Sequence, residues 1–182
     1  MTSNNMVTLM TESGKLFNID RQIACMSETI KHLLEICDKT NEKINIILPI
    51  PYLESDNTDT QQLNLQYKDF LIEKIIEYCT YHHPLKNKEI DPESQEATDI
   101  IEWDNHFICP TNPELDQKYV FSIILSANFL GIQALRDLCC KAVADVMRNK
   151  SSEEIRHIFN IPDDIPEERK QQIKTDNSWL YN

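Results

Sequence analysis

Glycine is nearly absent from this chain, and that scarcity limits its fold and chemistry more than any other feature. The 182 residues include only two glycines, Gly14 and Gly131. The dinucleotide-binding fingerprint, the phosphate-binding P-loop and the nucleophile elbow of serine hydrolases each need two or more closely spaced glycines. The sequence therefore excludes most nucleotide-dependent enzymes and the commonest serine hydrolases.

Composition and charge narrow the possible partners. Hydrophobic residues make up 41% of the chain, enough to build a core, and the length suits one domain with an appended element. The formal net charge is −12. Binding to nucleic acid or to an anionic membrane surface needs clustered Lys and Arg, so we expect neither partner.

The cysteines and the termini predict a location in the cytoplasm and nucleus. No stretch approaches the roughly 20 apolar residues of a membrane span, and the first ten residues do not resemble a secretory signal. Without a signal, thiols in apolar segments are better explained as reduced core residues than as disulfides. Six cysteines fit this description: Cys25, Cys37, Cys79, Cys109, Cys139 and Cys140.

The first half of the chain predicts a small sheet with helices, an α/β domain. The sequence predicts a β-hairpin near the start of the chain: alternating β-prone residues from Met6 to Thr11, a turn at Gly14 and a second strand at 16–19. Asp20 is suited to cap a short helix, Ser27 precedes another, and 46–48 predicts a short strand before Pro49. Residues 53–66 predict a polar loop, residues from Tyr67 to Cys79 a helix, and residues 82–99 a charged linker.

The second half predicts four helices. Asp116 is suited to cap the first, and Gly131 stands where that helix should end. The second covers roughly 132–148. Ser151 with Glu154 forms the S-x-x-E capping box of the third, and Pro166 suits the first turn of a polar fourth.

Two of these helices carry more apolar surface than one contact would cover. The first, YVFSIILSANFL, is apolar almost all the way round, so it must be covered on more than one side. The second has two apolar stripes. Either one thick core buries both stripes, or one faces inward and the other is offered to a partner. The stripes comprise Leu135, Leu138, Cys139, Ala142 and Val146, and Cys140, Val143 and Met147.

The tail favours the partner interpretation. Residues 160–182 are mostly charged or polar and include a few large apolar side chains, among them Trp179. A terminal aromatic cluster with no evident internal cover is typical of a surface that binds another protein. The alternative is a tail that folds back and packs against its own domain.

A metal-dependent enzyme is the weaker hypothesis. Cys79, His82 and His83 form a C-x-x-H-H run, but zinc sites normally use two paired ligand motifs and only one is present. Cys79 lies on the apolar side of its predicted helix, which favours a core role. We predict no enzyme activity, no metal and no cofactor.

The motifs, taken together, resemble the S-phase-kinase-associated adaptor (SKP) family, whose members link cullins to F-box proteins in SCF-type ubiquitin ligases. The resemblance rests on LFNID, IACMSETIKHLLE, ILPIP, IIEYCTYHH, EWDNHFI, FSIILSANFLGIQALRDLCCKAVADVMRNKSSEEIRHIFNI and DNSWL, in the family's order. It implies a BTB/POZ fold over residues 1–148 and a helical extension for F-box binding over 149–182.

The resemblance also implies two binding surfaces. An Asn-Tyr pair of the family contributes to cullin binding and falls here on Asn128 and Phe129, whose ring has no hydroxyl. Arg136 stands where the family usually has an apolar residue on the F-box side. The positions that match the family's F-box contacts are Val120, Ile124, Leu135, Val143, Ile155, Ile165, Ile173 and Trp179.

The resemblance therefore implies an adaptor subunit of an SCF ubiquitin ligase that acts in ubiquitin-dependent protein degradation. Two alternatives stay open. The chain could assemble F-box partners outside ubiquitin ligases, as in kinetochore-type complexes. It could also be a self-associating BTB protein that forms a homodimer when no F-box partner is bound.

Overall fold

The computed structural model describes residues 5–40, 46–52, 61–109 and 116–180. The chain divides into two compact units, Met1–Asp145 and Val146–Asn182, and each is described by itself. The first unit contains the sheet and most of the helices. The described residues of the second include short helices and turns.

A three-stranded sheet forms one side of the first unit. Its strands are β1 (Met6–Thr11), β2 (Leu16–Asp20) and β3 (Ile46–Leu48), in the order β2-β1-β3. β1 pairs antiparallel with β2 and parallel with β3, so the predicted hairpin and the predicted third strand are confirmed. Gly14 has φ 87° in the hairpin turn, a conformation that glycine adopts without strain.

Helices complete the first unit. Asp20 caps the first through a side-chain bond to the Gln22 backbone N–H, and Asp116 caps the fifth through the Tyr119 N–H, as predicted. Gly131 ends the fifth helix with φ 67°. The helices are α1 (Arg21–Ala24), α2 (Glu28–Thr40), α3 (Gln61–His82), α4 (Gln95–Ile108), α5 (Gln117–Leu130) and α6 (Gln133–Met147).

Two segments that the sequence predicted to be irregular contain helical residues in the structure. α3 begins at Gln61, so residues 61–66 of the predicted loop 53–66 are helical, and residues 53–60 lie outside the described residues. Glutamine and leucine are good helix formers, which a polar pattern alone conceals. In the predicted linker 82–99, a 3-10 turn covers His83–Leu85, and Ser94 caps α4 through the Ala97 N–H.

The core lies between the inner face of the sheet and helices α3, α5 and α6. Leu9, Leu71, Ile123 and Leu135 are at most 2% exposed. Buried side-chain polar atoms of the described residues have hydrogen-bond partners; the Tyr119 hydroxyl, for example, donates to the Phe107 carbonyl at 3.1 Å. α5 is covered on several sides, as its apolar circumference predicted, because Tyr119, Val120, Ser122, Ile123, Ser126, Ala127 and Leu130 are all buried.

The second unit is built from short polar helices: α7 (Ser152–Ile158), α8 (Glu167–Asp176) and a 3-10 turn at Ser178–Leu180. Ser151 and Glu154 form the predicted capping box of α7. Pro166 directly precedes α8, which is almost entirely polar, as expected. None of the described helices in the chain is long and apolar enough to cross a membrane.

Candidate partner-binding surfaces

The C-terminal turn of α5 presents apolar side chains to solvent. Phe129 is 40% exposed, and Leu125, one turn earlier on the same side of the helix, is 41% exposed. Asn128 between them is also exposed. We call Leu125, Asn128 and Phe129 the α5 surface.

This surface is held in place by α2. The Thr29 hydroxyl donates to the Phe129 carbonyl at 2.9 Å, and the Ser27 hydroxyl donates to the Leu130 carbonyl at 2.6 Å. The last carbonyls of a helix have no partner within it, so these bonds satisfy groups that would otherwise need water. The Gly131 backbone N–H also bonds the Asn128 carbonyl at 3.2 Å. The turn that carries Asn128 and Phe129 is therefore fixed by several contacts.

The Asn128 side chain is oriented from α6. Arg136 Nη1 donates to Asn128 Oδ1 at 3.2 Å, and Arg136 Nη2 donates to Asp137 Oδ1 at 3.4 Å. The family resemblance put Arg136 at a position that is usually apolar and lies on the F-box side in the family. In the structure its guanidinium instead lies against the α5 surface, because it reaches back across the α5–α6 turn.

The residues predicted to contact an F-box differ widely in exposure within the first unit. Val120 is 1% exposed and Leu135 is fully buried, because both pack into the core. They have no surface to offer a partner in this structure, which removes them from the candidate contacts. Ile124 and Val143 are partly buried against the same core and keep some exposed surface.

The two stripes predicted on α6 behave differently. Leu135 and Cys139 of the first stripe are buried, and Leu138 and Ala142 pack against the core. In the second stripe Cys140 and Met147 are exposed and Val143 is partly buried. A single core that covers both stripes is therefore not observed in the described residues.

The second unit exposes large apolar side chains. Trp179 is 69% exposed in its 3-10 turn, and Ile161 and Ile173 are 50% and 39% exposed. Ile155 and Ile165 are partly buried. Exposed tryptophan is costly to hydrate and is enriched at the energetic centres of protein interfaces. We call Ile155, Ile165, Ile173 and Trp179 the tail surface.

The Cys-His run is part of the packing of the first unit. Cys79 is 5% exposed, and burial raises the pKa of its thiol to about 12, so it is not a ready metal ligand. His82 Nε2 lies 2.9 Å from Asp104 Oδ1, and its ring packs 4.2 Å from that of Tyr78. Within the part of the chain that the structure describes, no group of three or more potential ligands could hold a metal ion.

Comparison with known proteins identifies the family. A model of the Skp1 family, tetramerisation domain, matches residues 5–55, and a model of the Skp1 family, dimerisation domain, matches residues 133–180. The SCF ubiquitin ligase complex protein SKP1a of Dictyostelium discoideum is 34% identical, over 96% of this chain and 95% of the relative. The chain belongs to the Skp1 family.

Other Skp1-family relatives match over similar lengths. The E3 ubiquitin ligase complex SCF subunit sconC of Arthroderma benhamiae is 36% identical, over 98% of this chain and 96% of the relative. The SKP1-like protein 11 of Arabidopsis thaliana is 32% identical, over 98% of this chain and 99% of the relative. The BTB/POZ fold and the family that the sequence motifs indicated are both confirmed.

Sequence reasoning missed one residue of the α5 surface of this Skp1-family chain, Leu125, and one contact to that surface, from Arg136. Leu125 precedes Phe129 by four residues, and this spacing alone places the two on one side of a helix. The contact between Arg136 and Asn128 crosses the turn between two helices, so no helical period in the sequence indicates it.

Proposed function

We propose that this chain is an adaptor subunit of an SCF (cullin–RING) E3 ubiquitin ligase that bridges a cullin and F-box substrate receptors in ubiquitin-dependent protein degradation. Its relatives carry the names of SCF ubiquitin ligase complex subunits. The observation that carries the proposal is the 69% exposed Trp179 in a unit rich in charge. Such a residue is explained by a partner that covers it.

The F-box contacts that we propose are the tail surface in the second unit and, separately, Ile124 and Val143 in the first. Apolar burial supplies the driving force, at roughly 25 cal/mol per Å² of apolar surface. The charged side chains of α8 supply a polar rim, the usual border of such an interface.

A calorimetric titration with an F-box domain tests this part. We expect Trp179→Ala to weaken binding by more than about 2 kcal/mol, as truncation of interface tryptophans often does. Ile161→Ala is the matched control, since Ile161 is 50% exposed in the same unit but is not among the proposed contacts. Equal affinity of Trp179→Ala and the unaltered protein would defeat the proposal.

The cullin contacts that we propose are Asn128 and Phe129. The exposed ring of Phe129 offers packing and the amide of Asn128 offers hydrogen bonds, on a turn fixed by Thr29. Alanine at both positions should impair cullin binding and leave F-box binding intact. Leu16→Ala, which truncates a 55% exposed side chain on β2, should change neither affinity. Loss of both partners together would indicate a damaged fold.

We propose that the chain itself catalyses nothing and acts by holding two proteins at a fixed separation. In a reconstituted ubiquitin-transfer reaction, adding the chain should increase substrate modification only when both the cullin and the F-box protein are present. Transfer that depends on the chain but not on the cullin would favour an assembly role outside ubiquitin ligases.

Self-association is the second candidate, favoured by the dimerisation domain named for residues 133–180 and by the exposed Ile173 and Trp179. We propose a homodimer when no F-box partner is bound. Light scattering over a dilution series should show a dimer that an F-box domain dissociates.

We also propose a location in the cytoplasm and nucleus. No disulfide joins cysteines within the described residues, which suits compartments that keep thiols reduced. Imaging of a fluorescent fusion tests this, and accumulation in the secretory pathway would contradict it.

A further inference from the structure

Four polar side chains on α5 and α6 form a continuous chain of hydrogen bonds that ends at Asn128. Gln133 Nε2 donates to Asp137 Oδ2 at 3.1 Å, Arg136 Nη2 donates to Asp137 Oδ1 at 3.4 Å, and Arg136 Nη1 donates to Asn128 Oδ1 at 3.2 Å. Gln133, Arg136 and Asp137 all lie in the first two turns of α6. Arg136 is therefore tied at one end to its own helix and reaches α5 with the other.

The chemistry of these groups fixes which way the amide of Asn128 faces. A guanidinium carries five N–H donors and no acceptor, whereas an asparagine amide has one acceptor oxygen and one donor nitrogen. The oxygen of Asn128 must therefore be the atom that faces Arg136. Its Nδ2 group points away from the guanidinium, on a residue that is exposed.

We propose that Arg136 is a positioning residue that holds the Asn128 amide so that it presents N–H donors to an acceptor oxygen of the partner. This inference rests on the proposed cullin contact of Asn128 and deepens it. The partner's matching group is a backbone carbonyl or a carboxylate, and a group that can only donate is rejected. Arg136 therefore acts on the α5 surface.

The bond from Arg136 favours cullin binding because it orders the Asn128 side chain before the partner arrives. An exposed asparagine side chain rotates freely, and fixing it at an interface costs conformational entropy. The bond from Arg136 removes part of that cost in advance. Its loss should therefore weaken binding about three- to ten-fold, an effect smaller than removal of the amide itself.

A double-mutant cycle measured with a purified cullin tests the proposal. Arg136→Met removes the donors and retains a long apolar stem. It should weaken cullin binding about three- to ten-fold when Asn128 is present and add nothing further in the Asn128→Ala background. Arg136→Lys retains one donor group and should recover part of the affinity.

Matched controls separate this effect from loss of charge or damage to the fold. Lys141→Met removes one positive charge from an exposed position on the same helix and should leave cullin affinity unchanged. F-box affinity should be unchanged in every variant. Full cullin affinity in Arg136→Met, or an equal loss in the Asn128→Ala background, overturns the positioning role.

Nuclear magnetic resonance of the Asn128 side-chain amide in the free protein tests the positioning role in the absence of cullin. The amide should be well ordered in the unaltered protein and mobile in Arg136→Met. Equal mobility in both overturns the inference. If the amide is ordered by Arg136 but the unaltered protein binds no cullin, the cullin contact is wrong and the positioning role stands.

Discussion

The two units of this chain are stabilised in different ways. The first encloses an apolar core in which Leu71, Ile123 and Leu135 are fully buried. In the second, no residue from 146 to 179, the stretch whose burial the structure describes, is buried. Its apolar side chains stay partly or largely exposed, and its local structure depends on polar contacts.

Those polar contacts are helix caps and ion pairs. The capping box of Ser151 and Glu154 begins α7. Lys170 in α8 donates to the carboxylate of Asp163, which precedes that helix, at 2.5 Å. Exposed pairs of this kind contribute little each, and isolated helices as short as these are marginal in water. The first unit is therefore stabilised by its buried core, whereas the second leaves its apolar side chains accessible to a partner.

The largest expected effect is a difference in stability between matched truncations in the two units. Leu135→Ala should lower the free energy of unfolding by about 2–5 kcal/mol, because it leaves a cavity in the core. Ile173→Ala removes a similar side chain at 39% exposure and should cost less than about 0.5 kcal/mol. Urea unfolding followed by circular dichroism measures both. Similar losses for the two variants would mean that the second unit has a core of its own.

The next effect concerns the two glycines of the first unit. Gly131 has φ 67°, and a Cβ there would lie 3.1 Å from the Glu28 Cβ; Gly14 has φ 87° and nothing within 4 Å of such a Cβ. Gly131→Ala should therefore lose about 1–3 kcal/mol of stability from backbone strain and crowding together, and Gly14→Ala should lose less. Thermal unfolding of both variants checks the order, and a larger loss for Gly14→Ala would contradict it.

A smaller and local effect is expected at α7. Ser151→Ala removes the side-chain acceptor of the Glu154 N–H, and loss of such a cap costs about 0.5–2 kcal/mol. Hydrogen exchange should accelerate at amides of α7 and stay unchanged in α5, because the first unit does not depend on this cap. Faster exchange in α5 as well would contradict a local effect of this cap.

The smallest expected effect is a change in the pKa of Asp163. The Lys170 ammonium, as a hydrogen-bond donor, lowers the pKa of the Asp163 carboxyl, with smaller help from the charges of Lys170 and Arg156. A lowered folded pKa means that the contact contributes fully above the unfolded value of about 3.9 and is lost as pH falls through the folded value. Lys170→Met should raise the pKa of Asp163 in an NMR titration, and Lys174→Met, the charge-matched control, should not. An unchanged pKa in Lys170→Met would contradict the assignment.

Local rules predicted much of this fold from sequence. The hairpin followed from alternation around Gly14, and the helix boundaries at Asp20, Asp116 and Ser151 followed from cap chemistry, since these depend on neighbours in the chain. Which side of an apolar helix faces inward depends on tertiary packing. The family resemblance placed Val120 among the F-box contacts, and the structure buries it in the core.

The binding surfaces were predictable only in part. The exposure of Trp179 was expected, because its charged surroundings left it no evident internal cover. Leu125 was overlooked, and the contact of Arg136 with Asn128 was not predicted. Its bond to Asn128 joins two helices and is specified by the geometry of the turn at Gly131, which residue spacing does not reveal.

Fluorine NMR of the protein labelled with 5-fluorotryptophan tests the central claim most directly. The chain has two tryptophans, so Trp179→Phe assigns both resonances. We predict a large solvent-isotope shift for Trp179 in the free protein at low concentration, and loss of that shift when an F-box domain binds. A Trp179 resonance that is shielded from solvent in the free monomer, or unaffected by a bound F-box domain, would contradict the account.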